Sequence, residues 1–590
     1  MANRAHSRFP SSVAGRLWLP GSLFLLLWAA PRALPADAGP PLDCTTCHDQ
    51  GQKLAKSAHA GLPCDTCHES HDKYPHPANI PKPVCTTCHA DQADDYASGV
   101  HGLARKAGNE GTPDCSLCHG SAHELLDPKS QAFRAAVPDT CGMCHSEVVE
   151  QYRASVHGQA LARGITQAPL CTDCHGEHKI IKHTSDASPV NPLHIRDTCG
   201  NCHGDVLLDR KFGLPTDRLV SYDSSYHGLA AKGGSQTVAN CASCHGVHNI
   251  LPSSDPRSTI NPKNLPKTCG QCHPGAGTRF AITEVHLAEG KTEPAALSWV
   301  RQLYLLLIPV TIGLMLLHNG GDWVRKLIRR RFRRRASNPA ALAAARGAQA
   351  HPEIRMLPFE RVQHALLVIS FLTLVWTGFA LKYPNQLWAR PLLLMEGSHS
   401  MRSLIHRAAA AVFIAVSLTH LIALIVNRRL RRHWLEMLPN RNDPREALSN
   451  FAYNLGLGDT PPGRSAHSYV EKAEYWAVVW GAVVMAATGI LLWANNLAMK
   501  LLPKVWLDVA TSIHFYEAVL ATLAIVVWHF YSVIFDPDVY PLNTAFLTGV
   551  TIRNPEPPPI PAEPARDPHP SAAPAGAEPA SAGPVRASGD

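Results

Sequence analysis

The sequence predicts a chain built in two different ways: a loop-rich region with short helices, followed by an all-α membrane domain of five transmembrane helices. Three observations lead to this prediction. All eighteen cysteines of the 590 residues lie in the first half of the chain, in nine copies of Cys-x-x-Cys-His. Loops rich in Pro and Gly join these copies. Five apolar segments, each of roughly the length that a bilayer requires, come afterwards.

The repeated motif is the attachment signature of c-type haem, because its two cysteines form thioethers with the haem and its histidine binds the iron. Zinc sites would combine the motifs in twos, which nine copies do not allow. Disulfides would not require a histidine after every second cysteine. The sequence therefore predicts nine covalent haems, which would form most of the core of this multihaem cytochrome c region. The attachment cysteines are Cys44, Cys47, Cys64, Cys67, Cys85, Cys88, Cys115, Cys118, Cys141, Cys144, Cys171, Cys174, Cys199, Cys202, Cys241, Cys244, Cys269 and Cys272, and the proximal ligands are His48, His68, His89, His119, His145, His175, His203, His245 and His273.

Further histidines repeat with the motifs and predict a second axial ligand for each iron. Each repeat holds one motif, a Ser-x-x-His or Ser-x-His element, a second motif and another histidine just beyond it. A histidine so soon after the proximal ligand is badly placed to reach round its own haem, so we expect it to ligate a neighbouring one. Taken singly, each could equally be a surface histidine. The predicted distal ligands are His59, His101, His157, His227 and His286 between motifs and His71, His123, His178 and His248 after motifs, with His76, His183 and His194 as spares.

Two protein ligands on every iron would leave no position open for a substrate. The axial environment separates haems that transfer electrons from haems that activate substrates. The sequence therefore predicts an electron carrier in this region.

The first 38 residues have the pattern of an export signal. Three arginines precede the apolar run Leu17–Ala30, and Ala36-Asp37-Ala38 offers a small-x-small cleavage site. An uncleaved anchor helix is the alternative. In either case we expect residues 39–295 in the periplasm of a bacterial cell.

The net charge of +8 comes from arginine-rich runs, at residues 325–335 and 428–432. Each follows an apolar segment, so the positive-inside rule explains them better than nucleic-acid binding does. Five crossings then leave the C-terminus in the cytoplasm. The predicted spans are Ala296–His318, Val362–Tyr383, Leu404–Val426, Tyr475–Trp493 and Thr511–Ile534. The predicted regions are a tether helix with its basic segment (296–335), a cytoplasmic linker (336–358), a membrane domain (359–549) and a disordered Pro- and Ala-rich tail (550–590).

Histidines inside the apolar segments indicate a cofactor site, because ionisable residues are costly in a membrane. His406 and His420 are 14 residues apart, and His514 and His529 are 15 apart. At 1.5 Å and 100° per residue, each pair lies on one helix face with a separation of about 21–22 Å, which suits two stacked haem b groups in a helix bundle. We pair His406 with His514 around the periplasmic haem b. The cytoplasmic side has His364, His420 and His529, one more than a second haem needs, and hydrogen bonding between helices is the alternative role for such histidines.

Several different short motifs occur along the membrane half. They are Arg361-Val362-Gln363-His364, Thr377-Gly378, His406-Arg407, Tyr475-Trp476, and His514-Phe515-Tyr516-Glu517 with Trp528-His529. Together they resemble the dihaem cytochrome b subunits of formate dehydrogenases and nickel–iron hydrogenases, over about Phe359 to Gly549. The resemblance implies a four-helix dihaem b bundle in which His364 pairs with His529, leaving His420 as a candidate quinone-site residue. The helix at 296–318 departs from that pattern and is expected to tether the haem c domain.

The fusion of nine haem c motifs to such a module is similar to the inner-membrane quinol-oxidising cytochromes of Geobacter-type metal-respiring bacteria. The similarity implies menaquinol as the electron donor and periplasmic c-type cytochromes as acceptors, in anaerobic or extracellular respiration. We therefore expect a quinol:cytochrome c oxidoreductase of the inner membrane, in contact with lipid and the quinone pool and with no nucleic-acid partner.

The quinone site is the least specified part of the sequence. The candidates are His420, Asn427 and Arg361 towards the cytoplasmic side and Asn495, Asn496 and Asp508 towards the periplasmic side. Helix capping or loop solvation would explain each of them equally well. Two other functions stay open: a quinone-reducing electron-entry subunit for a periplasmic dehydrogenase, and a terminal multihaem reductase acting on a small oxyanion.

Overall fold

The computed structural model describes residues 43–69, 74–79, 81–281, 286, 293–336, 351–397, 400–458 and 468–553. The predicted export signal, the predicted distal ligand His71, most of the predicted linker and the tail beyond Arg553 lie outside these residues. The chain divides into two compact units, residues 1–90 with 113–133, and residues 91–112 with 134–590.

The motif region consists of short helices joined by loops. Three single-turn 3₁₀ helices begin at motif cysteines and span Cys44–Thr46, Cys64–Thr66 and Cys85–Thr87. The helices α1 to α15 are, in chain order, Gln50–Leu54, Ala90–Ser98, Val100–Lys106, Cys115–His119, Gln131–Gly142, Ser146–Ala154, Val156–Ala162, Cys171–His175, Ile195–His203, Val206–Lys211, Arg218–Ser224, Tyr226–Lys232, Cys241–His245, Leu265–Gly270 and Thr278–Ala281.

The Ser-x-His element of the repeat is a helix start. Ser155 Oγ accepts the N–H of Gly158 at 3.2 Å, and Ser225 Oγ accepts the N–H of Gly228 at 3.2 Å. Serine suits this position because its side chain supplies an acceptor that the first turn of a helix lacks. The serine therefore fixes the turn that carries the predicted distal histidine, such as His157.

A glycine follows each of these histidines because two consecutive helices cross there at very short range. A Cβ atom at the glycine would overlap a carbonyl oxygen of the preceding helix. The overlapping pairs are Gly102 with Tyr96, Gly158 with Tyr152, and Gly228 with Tyr222. The crossing thus fixes the direction in which the histidine side chain leaves the backbone.

Backbone hydrogen bonds tie the starts of these helices to the following repeat. Within the second unit, Val100 N–H donates to Ile180 O at 2.8 Å and Val156 N–H donates to Ile250 O at 2.9 Å. Within the first unit, Ala58 N–H donates to Leu125 O at 2.8 Å. In each case the acceptor follows the second motif of the next repeat, so adjoining repeats interlock with an offset of one repeat.

Five helices of the described residues are long and apolar enough to cross a membrane, as the sequence predicts. The helices α16 to α25 are, in chain order, Ala295–Ala336, Pro358–Lys382, Arg390–Leu393, Met401–Val426, Arg428–Leu435, Asp443–Asn454, Tyr469–Trp493, Asn495–Leu501, Lys504–Ala524 and Ala545–Thr548. Of these, α16, α17, α19, α22 and α24 are the five long ones, and α24 continues as π-helix over Ile525–His529 and Tyr531–Phe535.

The two arginine runs lie at the same end of the membrane helices. The guanidinium carbons of Arg325 and Arg329 lie 4.3 and 5.5 Å from the ring centre of Tyr453. Tyr453 belongs to α21, which follows the second arginine run in the chain. We call this end of the bundle the basic end.

The helix α16 does more than the predicted tether, because it packs along α24 as a member of the bundle. Tyr304 O–H donates to the buried carboxylate of Glu517 at 2.9 Å, and Asn319 Nδ2 donates to Val527 O at 2.8 Å. Polar groups at membrane depth need partners inside the protein. These contacts therefore hold α16 against the helix that carries His514 and His529.

The prediction of a disordered tail from residue 550 is wrong for its first four residues. Strand β1, His351–Ile354, pairs antiparallel with strand β2, Val550–Arg553, so that His351 lies opposite Arg553. Arg355 N–H extends the contact by donating to Gly549 O at 2.9 Å. The β-branched run Val550-Thr551-Ile552 favours a strand once the linker offers a partner.

The glycine crossing gives a test of the repeat fold. Gly158→Ala should destabilise the motif region by about 1–3 kcal/mol, because the new methyl group meets Tyr152 O and the helices must move apart. Gly277→Ala is the control, since nothing lies within 4 Å of a Cβ there. The measurement is the thermal unfolding midpoint of the purified protein, and equal midpoints for the two variants would contradict the crossing.

Candidate haem and quinone sites

Histidine rings of the motif region lie in facing pairs within each unit. Each pair joins the histidine of a motif to a histidine from outside the motifs. In the first unit the pairs and their distances between ring centres are His48–His76 (6.1 Å), His59–His89 (6.1 Å) and His68–His123 (5.9 Å). In the second unit they are His101–His145 (6.3 Å), His157–His203 (6.2 Å), His175–His248 (6.1 Å), His227–His273 (6.1 Å) and His245–His286 (6.3 Å).

The spacing of the rings fits a metal ion between them. Since a metal–imidazole bond is about 2.1 Å long and the ring centre lies about 1.1 Å behind the nitrogen, rings on opposite sides of one metal have centres about 6.4 Å apart. His68 and His123 are almost parallel, at 7°, yet their centres are 5.9 Å apart. Rings that stack directly face to face in van der Waals contact would have their centres only about 3.5–4 Å apart. The residues therefore fit an iron with two histidine ligands.

The pairs follow the offset of one repeat. His157 and His227, which lie between motifs, face His203 and His273 of the first motif of the following repeat. His248, only three residues past His245, faces His175 of the preceding repeat instead. This geometry agrees with the expectation that a histidine just after a motif serves a neighbouring haem.

The environment of these imidazoles suits metal ligation, which requires a neutral ring with a free lone pair. Burial, together with the neighbouring His203, lowers the pKa of His157 to about 4. Ser221 Oγ lies 2.9 Å from Nδ1 of His286, which leaves Nε2 of that ring to face His245.

The cysteines of the two motifs in a repeat lie next to each other. The first cysteine of one motif is hydrogen-bonded through its side chain to the first cysteine of the other, in the pairs Cys44–Cys64, Cys85–Cys115, Cys141–Cys171 and Cys199–Cys241. Between repeats of the second unit, Cys174 lies close enough to Cys202 to interact electrostatically. Cys244 interacts in the same way with Cys269 and Cys272. Successive attachment sites of the second unit are therefore neighbours in space.

The sequence pattern predicts His76 only as a spare ligand, and in the structure its ring lies opposite that of His48. Among the facing pairs of the described residues, His76 is the non-motif histidine that repeat spacing did not predict as a distal ligand. The ring of His119 lies 5.6 Å from that of Phe133, and the backbone of His178 lies against Gly99. The spare His194 bonds through Nε2 to Asp186 O at 2.8 Å.

The membrane histidines form two more pairs. The ring centres of His406 and His514 are 6.4 Å apart, and those of His364 and His529 are also 6.4 Å apart. Both distances match the spacing expected for two imidazoles on one iron. Of the two histidines that the sequence offered opposite His529, the structure brings His364 there.

Threonine hydroxyls orient the pair His406 and His514. Thr377 Oγ1 donates to Thr373 O at 2.6 Å and lies 2.8 Å from Nδ1 of His406. Thr488 Oγ1 lies 2.9 Å from Nδ1 of His514. Because the Thr377 proton is used on the backbone, its oxygen accepts Nδ1–H and turns Nε2 of His406 to the partner ring. Sequence reasoning noted Thr377-Gly378 but missed the same dipeptide at Thr488-Gly489, which was the available signal.

His420 lies in a different environment. Its Nε2 is 3.2 Å from Tyr475 Oη, and its Nδ1 is 3.4 Å from Gln363 Oε1. The ring of Trp434 closes one side, with its centre 5.0 Å from that of His420. The sequence indicated no role for Gln363 or Tyr475 beyond their places in the motifs of the resemblance.

The other quinone-site candidates make structural contacts. Asn427 Oδ1 accepts the N–H groups of Arg429 and Leu430 at 3.0 and 3.2 Å and so caps α20. Arg361 donates to Thr548 O at 3.0 Å. Asp508 pairs with Lys504 at 2.6 Å, and Asn495 begins α23. Asn496 contacts His273 of the motif region.

The last motif lies against the membrane helices. The side chain of His273 is hydrogen-bonded to Asn496 of α23. A Cβ at Gly275 would overlap Asn496 O, so only glycine allows the backbone to come this close. Phe280 packs against the buried cluster of Ala498, Met499 and Leu507.

The helix α16 contacts the segment that carries His529. A π-helix leaves carbonyl groups without their usual partners and often marks a functional site. Asn319 supplies a donor to Val527 O inside this π-helical turn, at 2.8 Å. The ring of His318 stacks on Trp528 with ring centres 4.9 Å apart. Asn319 and His318 therefore help to fix the π-helical turn and with it the direction in which the His529 side chain leaves the backbone. The sequence pattern did not indicate this role.

Removing the threonine hydroxyl should change the iron that His406 binds. In Thr377→Val, Nδ1–H loses its acceptor, the imidazole becomes a weaker donor, and the midpoint potential of that haem b should rise. Thr373→Val is the matched control, because its hydroxyl bonds only to its own helix at Ile369 O. Redox titration in the haem b band checks this, and an unchanged potential would contradict the role.

Asn319→Leu should affect the other membrane pair. Val527 O would be left without a partner at a cost of about 1–3 kcal/mol, and the π-helical turn would shift His529. We expect a changed electron paramagnetic resonance signal for the haem at His364 and His529, with the signal from His406 and His514 kept. Gln302→Leu on the same helix is the control, since Gln302 bonds only to Ser298. Equal spectra for both variants would count against this role.

The comparison with known proteins concerns the membrane half. Residues 355–549 match the family described as prokaryotic cytochrome b561. No curated protein matches the chain. The matched region contains both membrane histidine pairs, and proteins of this family bind haem b. Residues 355–549 are thus a cytochrome b561-type all-helical membrane domain, of the kind found in membrane b-type cytochromes of electron transfer, and the five apolar helices of the described residues make the chain an integral membrane protein.

Proposed function

We propose that this protein oxidises menaquinol in the inner membrane and passes the electrons through two haem b groups to nine periplasmic haem c groups and on to periplasmic c-type cytochromes. The observation that carries the proposal is the contact between the pair His227–His273 and the membrane domain at Asn496. That contact joins the two series of histidine pairs.

The membrane end of the route is short. His514 lies ten residues into α24 from Lys504, which corresponds to about 15 Å along the helix axis. Lys504 itself interacts electrostatically with His227. A haem held by His227 and His273 would therefore face the haem b held by His406 and His514 across one end of the bundle.

The motif region offers a continuous route away from that junction. Attachment sites at Cys269, Cys241, Cys199, Cys171 and Cys141 are neighbours in that order. The haem groups would supply the one-electron redox chemistry, while the chain supplies two imidazoles for each iron and holds successive sites in contact. Two histidines on an iron favour electron transfer over reduction of an oxyanion.

The direction across the membrane rests on charge. Both arginine runs lie at the basic end, which the positive-inside rule assigns to the cytoplasm. Asn496 and the last motif lie at the opposite end, so the motif region would be periplasmic.

Quinol oxidation is tested with the purified full-length protein under anaerobic conditions. A reduced menaquinol analogue should produce the reduced bands of haem b and haem c together, in protein with two haem b and nine haem c per chain by pyridine haemochrome. Reduction of neither, in protein that dithionite reduces fully, would overturn the proposal.

The junction is tested by removing one attachment site. In Cys269→Ala with Cys272→Ala, the quinol should still reduce haem b, while reduction of the remaining haem c should be lost on that timescale. Cys141→Ala with Cys144→Ala is the control, because the four sites nearer the membrane stay connected. His273→Met keeps both thioether cysteines and should raise the potential of the junction haem, so that electrons reach this haem but pass on to the remaining haem c more slowly. Fast reduction of the remaining haem c in both junction variants would contradict the route.

A further inference from the structure

The membrane domain is built from two similar helix pairs, α17 with α19 and α22 with α24. Thr377 and Thr488 hold the Nδ1 atoms of His406 and His514 at 2.8 and 2.9 Å. The glycine after each threonine would place a Cβ only 3.5 and 3.3 Å from Cε1 of the same rings. One half of the domain therefore repeats the other around this haem site.

The same correspondence extends to the basic end. His364 precedes Thr377 by thirteen residues, and Tyr475 precedes Thr488 by thirteen residues. His420 and His529 likewise follow His406 and His514 by 14 and 15 residues. By this alignment Gln363-His364 corresponds to Glu474-Tyr475, and His420 corresponds to His529.

The contacts follow this correspondence. His529 faces His364 and has Glu474 at 3.4 Å from its Nδ1. His420 faces Tyr475, with ring centres 6.0 Å apart, and has Gln363 at 3.4 Å from its Nδ1. Each of these two equivalent positions takes one residue from each half: the first has two histidines for an iron, and the second has a tyrosine where the other histidine would be.

Tyr475 changes what this second position can bind. Its Oη lies 3.2 Å from Nε2 of His420, so a hydrogen bond occupies the gap that an iron would fill between His364 and His529. Gln363 offers Oε1 to His420, while its Nε2 is buried and has no hydrogen-bond partner among the described residues. Trp434 forms an aromatic wall, with its ring centre 4.7 Å from that of Tyr475. A buried free donor, a ring nitrogen acceptor and a flat wall are complementary to a hydroxylated aromatic ring.

We propose that His420, Tyr475, Gln363 and Trp434 bind the head group of a hydroquinone, at the position where the second half of the domain has lost a haem ligand. This inference rests on the proposed function and names the site of its substrate. The hydroquinone hydroxyl takes over the bond from Tyr475 to His420 Nε2, Tyr475 Oη donates instead to the oxygen of that hydroxyl, and Gln363 Nε2 donates to a ring oxygen. Gln363 is adjacent in the chain to His364, so the head group lies beside the second haem b.

The chemistry balances with the haem as the oxidant. Oxidation of one hydroquinone breaks two O–H bonds and forms two C=O bonds, releasing two protons and two electrons. His364 and His529 would hold a ferric haem b that supplies the one-electron acceptor for each of the two electrons in turn. His420 Nε2 accepts the first proton, and both protons leave at the basic end.

A second group of the same residue types provides the control. His318 Nε2 is hydrogen-bonded to Tyr469 Oη, and the ring of Trp528 stacks on His318. The histidine of this group lies on α16, outside the two similar helix pairs. Tyr469→Phe removes a hydroxyl from the same helix, α22, as Tyr475→Phe does, but away from the proposed site.

The experiment measures steady-state oxidation of a menaquinol analogue, with ferricyanide as the terminal electron acceptor, in full-length variants whose two haem b signals and dithionite reduction match the wild type. Gln363→Leu and Tyr475→Phe should raise KM by about tenfold, the effect of losing one buried hydrogen bond. His420→Gln keeps a polar group but no proton acceptor of similar basicity, so kcat should fall and its pH profile should change while KM changes less. Tyr469→Phe should leave both constants unchanged.

The outcomes separate this inference from the proposed function. A wild-type protein that cannot oxidise the quinol overturns the function itself. A wild type that oxidises it, with KM within twofold of the wild type in Gln363→Leu and Tyr475→Phe, overturns the site alone. A rise of KM in Tyr469→Phe instead would move the head group to the His318 group and also overturn this site.

Discussion

Paired imidazoles set the architecture of both halves of the chain. A ring spacing of 5.9–6.4 Å fits two ligands of one iron. In the motif region, the Ser-x-His-Gly element provides one ring of several such pairs through a capped helix start and a close crossing. In the membrane domain, threonine hydroxyls orient the rings. Few apolar residues are buried in the motif region, so this geometry replaces an ordinary hydrophobic core.

The haem attachment sites could be proposed from the sequence because covalent attachment would require a rigid local pattern. Two cysteines and a histidine at fixed spacing need no long-range information. The membrane histidines could also be predicted, since an ionisable residue in an apolar helix is unusual. The choice between His364 and His420 opposite His529 depends on helix rotation, which spacing along one helix does not determine, and only the resemblance implied His364.

Other features depend on contacts between distant segments. His76 lies opposite His48, and no periodic pattern in the sequence predicts this pairing. The strand at Val550–Arg553 forms because a linker two hundred residues earlier pairs with it. The role of α16 had a signal in the sequence, because Asn319 and Asp322 are polar residues in an apolar helix. Asp322 accepts a hydrogen bond from Tyr531, one more polar contact between α16 and the π-helical segment.

The offset of one repeat has a consequence for how such an array can grow. Because the two rings of a pair come from adjoining repeats, a single repeat cannot complete its own sites, whereas a duplicated copy inserted in the middle would find ready-made neighbours on both sides. Only the two ends of the repeat array need end groups of a different kind, and His76 opposite His48 and His286 opposite His245 are the rings found there. The number of facing histidine pairs can therefore change by tandem duplication without redesign of the interior, in the manner of a polymer with two fixed terminators.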